Sequence, residues 1–295
     1  MPRMPPKRHP LNQSRLFRIR SRRRLADVLG ITPPLLESVL AAERPYSERS
    51  VETGSGEKVK VREIQEPRGA LRPIHARVAT LLSRIDPPDF LFCPVKRRSY
   101  VSNAAHHVGS RQVSTLDIKT YFPATPEHRV FWFFNHILQC ERDVASILGR
   151  LLTVNGHLAT GSPVSPILSF FAFYDMWNSI DRVIVENGCK LSVYIDDITI
   201  SGEVVPNWLL WEVKRLIRSR GLIYHKERRY YQGVAEITGV IVQNGGLSLP
   251  SRQHQKAYLL RKDLRREADV EAKGALERRI KGMSAQRKQI EGMII

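Results

Sequence analysis

Two adjacent acids, Asp196 and Asp197, sit in the middle of Lys190–Gly202, KLSVYIDDITISG. Leu191, Val193 and Ile195 precede or flank them, and Ile198 and Ile200 follow. Such β-branched density reads as two strand halves joined by a turn. Neighbouring carboxylates raise each other's pKa unless a cation neutralises them. A divalent metal answers that need, because Mg²⁺ takes carboxylate oxygens and keeps positions open for phosphates. A type I′ hairpin turn, with aspartate chosen for its tolerance of the left-handed region, explains the pair equally well in isolation. A third carboxylate tips the balance: Asp117 lies in VSTLDIKTYF, Val113 to Phe122, an equally strand-like setting.

An LDIKxYF strand followed by a YxDD hairpin resembles the reverse transcriptases, and the sequence between them leaves room for two helices. The resemblance implies phosphoryl transfer by two Mg²⁺ ions, with Mn²⁺ as a substitute, and such chemistry needs carboxylates bridging ions about 3.5–4 Å apart. Asp117 and Asp196 would supply the bridge, with Asp197 as a weaker or alternating ligand and Ile118 completing the implied metal ligands. The implied fold is α+β, a right-hand polymerase of fingers, palm and thumb whose antiparallel palm sheet is backed by helices. On this reading residues 1–50 are a basic arm and N-terminal helices, and 51–115 the fingers. Residues 116–248 form the palm, with a helical segment at 125–160, and 249–295 the thumb.

The elements that must position these acids follow from composition and pattern. A chain of 295 residues with 42% hydrophobic content buries a substantial core and has room for two or three subdomains. Its 47 basic and 29 acidic residues give a net charge of +18, which suits a polyanionic partner. Cys93, Cys140 and Cys189 lie far apart with no CxxC, so neither a zinc site nor a disulfide framework is indicated. No apolar stretch approaches a membrane span, and Leu11–Ile19 is broken by Arg15 and Arg18, unlike a signal peptide. A reducing cytoplasm and no membrane partner are expected.

Met1–Arg24 carries nine basic residues and no acid. Such a block repels itself and reads as a loose nucleic-acid arm or a solvated tail. Leu25–Ala42 has the apolar stripes of a helical pair, divided by Gly30 and the Thr32-Pro33-Pro34 helix start. Val51–Pro67 reads as a hairpin turning at Gly54-Ser55-Gly56, with Lys58, Lys60 and Arg62 on one face. Arg62-Glu63-Ile64-Gln65-Glu66-Pro67 matches the RxIxxP fingers segment of the family, whose arginine contacts the incoming triphosphate. A guanidinium fork suits that task. Leu71–Ile85, His128–Leu138, Asp143–Leu152 and Trp208–Ser219 read as helices, and Pro250–Ile295 as basic and helical.

Further motifs narrow the resemblance to retron enzymes. Asn103-Ala104-Ala105-His106-His107 fits their NAxxH pattern, and Ile237-Thr238-Gly239 is one step from their VTG. Asn103 and His107 either contact the partner RNA or lock a helix by hydrogen bonds. Phe122 stands at the family's steric gate against ribonucleotides, with a core aromatic as the alternative. Thr160-Gly161-Ser162-Pro163-Val164-Ser165-Pro166 opens a long helix running through Val185. It matches the family's Gln-Gly-x-Pro-x-Ser-Pro loop, with Thr160 in place of glutamine. The resemblance thus implies nucleotide binding by Lys60, Arg62, Phe122, Gly161 and Ser162. Gly221 and Leu222 begin the GLxxNxxK motif, but His225 replaces its asparagine and Arg228 its lysine, with Lys226 close by. Arg261 and Arg265 would grip nucleic acid from the thumb.

The resemblance covers about Lys58 to Ile295. It implies an enzyme that copies a structured noncoding RNA into DNA from dNTPs, primed by an RNA 2′-hydroxyl and acting with an effector protein in phage defence. Another bacterial defence or group II intron-like reverse transcriptase is the nearest alternative, although no maturase extension or HNH-like Cys/His cluster is present. A catalytically idle RNA-binding scaffold is the alternative of a different class.

Overall fold

Helices and strands alternate along the computed structural model, which describes residues 8–41, 46–53, 60–243 and 245–293. In chain order they are α1 (Arg22–Leu29), α2 (Pro33–Ala41), β1 (Tyr46–Thr53), β2 (Lys60–Pro67), α3 (Leu71–Leu82), β3 (Leu91–Cys93), α4 (Tyr100–Ala105) and β4 (Gln112–Ile118). There follow α5 (Glu127–Trp132), α6 (Arg142–Leu152), β5 (Thr153–Val154), β6 (His157–Leu158), α7 (Ser165–Ala172), α8 (Tyr174–Glu186), β7 (Lys190–Tyr194) and β8 (Asp197–Gly202). The last are α9 (Asn207–Ser219), β9 (Tyr224–Tyr230), β10 (Ala235–Ile237), β11 (Val240–Gln243), β12 (Gly246–Ser248), α10 (Ser251–Arg266) and α11 (Val270–Glu291). The fold is therefore mixed, with helices and sheets interleaved. The expected turn at Gly54-Ser55-Gly56, like Lys58, lies outside the described residues. Among the described residues no helix is long and apolar enough to cross a membrane.

The chain divides into two compact units: Met1–Pro88, Ile118–Ile180 and Arg215–Ile223 form one, and Asp89–Asp117, Asp181–Lys214 and Tyr224–Ile295 the other. In the first unit the basic segment from residue 8 onward is not the loose arm expected. Leu16 and Ile19 are buried, and the His9 amide donates to the Arg84 carbonyl (3.0 Å). Acids distant in sequence take up the arginines: Arg20 pairs with Glu141, and Arg22 Nε lies 3.6 Å from Asp143. Phe133 stacks on Phe171 with ring centroids 4.9 Å apart, and both are buried. The long helix expected through Val185 is broken. Phe173, at φ −115° and ψ 29°, ends α7, and α8 begins at the next residue.

In the second unit a five-stranded sheet runs β3-β7-β8-β4-β9. Strand β8 pairs antiparallel with β7 and with β4, whereas β3 pairs parallel to β7 through Leu91↔Val193. The sheet is thus mixed rather than wholly antiparallel. A parallel edge strand requires a long connection, and most of the chain between Cys93 and Lys190 supplies it. A smaller sheet, β10-β11-β12, shares a core with α4 and α11 through Val101, Ala104, Val240, Val242, Leu247 and Ile290.

Candidate active site

Strands β4 and β8 place the acids. Their register sets Asp117 directly across from Asp197. Like charges in that relation are destabilising unless something compensates. The β7–β8 hairpin pairs Tyr194 with Asp197, leaving Ile195 and Asp196 as a two-residue turn. Ile195 has φ 61°, while Asp196 is not among the residues of positive φ. This is the pattern of a type II′ turn, whose first central position favours glycine. The aspartate-tolerant type I′ turn is therefore not what forms. The β-branched residue, rather than an acid, takes the strained conformation, at a cost of order 1–3 kcal/mol.

The electrostatics match this crowding. Burial first, then the Asp196 and Asp117 carboxylates, push Asp197 up to about 6, against the pull of Lys226 and Arg228. Lys226, in β9, donates from Nζ to Asp117 Oδ2 at 2.6 Å. His225 Nδ1 lies 3.3 Å from Asp117 Oδ1 without the alignment of a hydrogen bond. The GLxxNxxK spacing sets Arg228 at the lysine position, but Arg228 is exposed and bonds to Tyr230. Lys226, not Arg228, is the residue that meets Asp117 on β4. Its backbone at φ 54° carries no signal in the local sequence.

A cavity of about 340 Å³ opens over these groups, lined among others by Asp117, Asp197, Lys226, Tyr100, Glu236 and Thr238. Tyr100 and Glu236 carry no local mark of a site residue, whereas Thr238 belongs to the Ile237-Thr238-Gly239 motif; long-range packing brings all three here. Thr238 and Gly239 form the turn between β10 and β11, both at positive φ (45° and 81°), a type I′ arrangement. Threonine is an awkward choice there. Its Oγ1 is tied down by donating to the Tyr100 carbonyl (3.1 Å) and accepting from Asn103 Nδ2 (3.4 Å).

The other expected site residues fall as follows. Asn103 and His107 are 1% and 0% exposed, so neither side chain presents itself to RNA. Both His107 ring nitrogens are engaged at 2.7 Å, with Ser201 Oγ and Ser192 Oγ. Burial, then His106 and Lys190, hold its pKa well below the ordinary value. The helix-locking alternative is the one these contacts fit. Ile118 buries its hydrocarbon side chain completely, and only its backbone carbonyl has the chemistry of a metal ligand. Phe122 is half-buried, whereas Tyr121 is the core aromatic, donating to the Ser169 carbonyl at 2.9 Å. Arg62 is exposed on β2, and of Lys60 only the backbone is described. Ser162 is 5% exposed, its hydroxyl bonded to His75 Nδ1 at 2.6 Å, so that side chain is not offered to a nucleotide. Arg261 and Arg265 lie one turn apart on exposed positions of α10. Arg62, Phe122, Gly161 and Ser162 belong to the first unit, and the three acids and Lys226 to the second.

Among the described residues no group of three or more His, Cys, Asp or Glu side chains is gathered closely enough to hold a metal as it stands. The donor set nevertheless fits one. Asp117 already binds a cationic ammonium, and Asp197 is raised by burial first and then by two neighbouring carboxylates, a setting that a further cation would relieve.

No protein-family model matches the chain. The retron Se72 reverse transcriptase of Salmonella heidelberg (strain 579083-10) is 30% identical over 185 residues, 61% of this chain and 47% of that one. The retron Ec86 reverse transcriptase of Escherichia coli is 22% identical over 224 residues, 74% of this chain and 69% of that one. The chain is homologous to retron reverse transcriptases. The retron Mx65 reverse transcriptase of Myxococcus xanthus extends the similarity, at 29% identity over 241 residues, 72% of this chain and 55% of its own. The chain spans about half the length of the first of these retron relatives.

Proposed function

We propose that this chain is an RNA-directed DNA polymerase of retron type, which copies a structured noncoding RNA into DNA (msDNA). The observation that carries the reading is the β4–β8 register, which faces Asp117 with Asp197 beside Asp196 at the turn. Asp117, Asp196 and Asp197, with the Ile118 carbonyl, are the residues to hold divalent ions, Mg²⁺ or Mn²⁺. When bound, such ions stabilise the attacking and leaving oxygens of an in-line displacement at phosphorus. The acids supply fixed negative charge at the end of a buried sheet. Lys226 balances that charge and must give way when Asp117 takes another cation. Arg62 is the candidate for binding the triphosphate, Phe122 for excluding the 2′-hydroxyl, and Gly161 for close backbone approach. Division into fingers, palm and thumb, priming from an RNA 2′-hydroxyl, and service in phage defence with an effector belong to the same proposal. They are supported by homology to retron enzymes.

The test is DNA synthesis on an RNA template with dNTPs and Mg²⁺. Asp117→Asn and Asp196→Asn should each lower the rate roughly a thousandfold or more, the scale of losing a main electrostatic element. RNA affinity should stay within about twofold, because the basic surface is untouched. Substantial extension by either variant would remove the assignment. Synthesis from supplied primers alone, with no RNA–DNA branch in the product, would reject 2′-hydroxyl priming and leave the polymerase reading.

A further inference from the structure

Strands β1 and β2 form a ribbon paired along eight residues each, from Tyr46↔Pro67 to Thr53↔Lys60. A two-stranded ribbon is marginal alone, and one edge of β2 would present open backbone groups. The loop that begins at Thr160 covers that edge at Glu63 and Gln65. Thr160 Oγ1 donates to the Glu63 carbonyl at 2.8 Å and accepts from the Gln65 amide at 3.1 Å. Next to it the Gly161 amide donates to the Gln65 carbonyl at 3.0 Å. A threonine hydroxyl thus does what a neighbouring strand's backbone would do.

The loop is itself anchored. Ser162 Oγ bonds to His75 Nδ1 at 2.6 Å, and His75 Nε2 donates to the Leu151 carbonyl at 2.7 Å. Ser165 Oγ donates to the Ala159 carbonyl at 2.6 Å. These contacts, all within the first unit, lead from α3 through the loop to β2. They end one residue from Arg62.

We propose that Thr160 is a positioning residue: its paired hydrogen bonds set the pose of the β1–β2 ribbon and hence where Arg62 presents its guanidinium to the incoming nucleotide's phosphates. The proposal rests on the reading of Arg62 as the triphosphate contact. It assigns to the threonine that replaces the family's glutamine a part of its own, directed at the strand rather than the nucleotide.

The experiment compares wild type with Thr160→Val, Thr160→Ser, Arg62→Ala and the Thr160→Val/Arg62→Ala double variant on one primer–template. Valine keeps the shape and removes both hydrogen bonds. It should raise the dNTP KM about five- to tenfold with kcat within about twofold, the scale of losing one or two hydrogen bonds. Serine should restore the wild-type value. In the Arg62→Ala background the valine should add less than about a twofold effect, since neighbours acting through one group are not additive. Amide exchange at Gln65 should quicken in Thr160→Val whether or not nucleotide is present. Unchanged exchange at Gln65, an unchanged KM, or a valine effect undiminished in the Arg62→Ala background would each overturn the proposal. If Arg62→Ala leaves the dNTP KM unaltered, the reading of Arg62 fails, and the proposal fails with it for that separate reason. Should the valine variant not fold, Thr160→Ala serves for the same comparison.

Discussion

His107 and His75 are both fully buried, and each is neutral for the same reason: the interior penalises imidazolium more than its partners can repay. His107 ties α4's end to Ser192 on β7 and Ser201 on β8. His107→Ala should cost about 2–4 kcal/mol, combining a cavity with the loss of both hydroxyl contacts, although Ser201 Oγ keeps its bond to Ser110 Oγ (2.9 Å). Urea unfolding measures that loss, and initiation on a cognate RNA should fall in step with extension of an annealed primer. A loss confined to initiation would restore an RNA-reading role. For His75, burial lowers the pKa to about 4, although the Leu151 carbonyl pulls the other way. The unfolded chain takes up that proton near 6.5, so between about 6.5 and 4 the unfolded state binds more protons. The stability is therefore fully present above 6.5 and is lost progressively toward 4, by up to about 3 kcal/mol. A melting series over that range should show His75→Gln with a shallower slope than wild type. At Phe122, the half-buried ring beside the core Tyr121 makes Phe122→Val the informative change. The ratio of ribonucleotide to deoxynucleotide incorporation should rise by tenfold or more, on the order of removing a steric wall; an unchanged ratio with activity retained would return the ring to a packing role.

Among elements, β2 and the loop at Thr160–Ser162 meet closely. A Cβ built on Gly161 would lie 2.6 Å from Glu66 Cγ, 2.8 Å from Ile64 Cγ2 and 2.9 Å from the Gln65 carbonyl oxygen. Gly161→Ala should therefore cost about 1–3 kcal/mol by overpacking. The loss should appear as faster proteolysis of the ribbon before any global unfolding. An unchanged digestion pattern would mean that strand and loop separate easily. The sequence displays such elements unevenly. Alternating Lys60–Ile64, the apolar runs of β7 and β8, and the stripes of α6 and α9 are plain; the runs and stripes mark faces that are buried, whereas on β2 Val61 stays exposed and Ile64 is half-buried. The β5–β6 hairpin turns on a strong local signal, Asn155-Gly156 with φ 50° and 78°, but its strands are only two residues long and show no period of their own. The break at Phe173 has neither glycine nor proline to announce it. At the site, the three acids are legible from type and spacing. The positive φ of Ile195 and Thr238, the Lys226–Asp117 bond and the Thr160 clasp are not. Thr238, Lys226 and Thr160 each depend on a partner distant in sequence that local pattern does not name, and the β-branched type of Ile195 argues against the conformation it takes.

For the molecule as a whole, the charge of +18 sets an attraction to nucleic acid that should fade with salt as counterions are released. How that charge is deployed matters more than its sum. Arg20, Arg22 and Arg24 face Glu141, Asp143 and Asp27, so three of the N-terminal block's nine basic residues are already paired within the first unit. In the second unit, Arg261 and Arg265 stand exposed on α10, where the long side chains can reach a phosphate backbone. The N-terminal block, although denser in the sequence, should therefore contribute less to RNA binding than α10. Replacing Arg261 and Arg265 together with glutamine should reduce the slope of log affinity against log salt by about two, roughly one for each phosphate no longer neutralised. Replacing Arg20 and Arg22 together should reduce it by about half as much or less, because an arginine held by a carboxylate displaces fewer counterions when RNA arrives. Filter binding of one structured RNA from 50 to 300 mM salt, on the order of the range where the slope is linear, makes the comparison. Equal reductions for the two pairs would mean that the N-terminal ion pairs open on binding and that the arm acts on RNA as its composition first suggested.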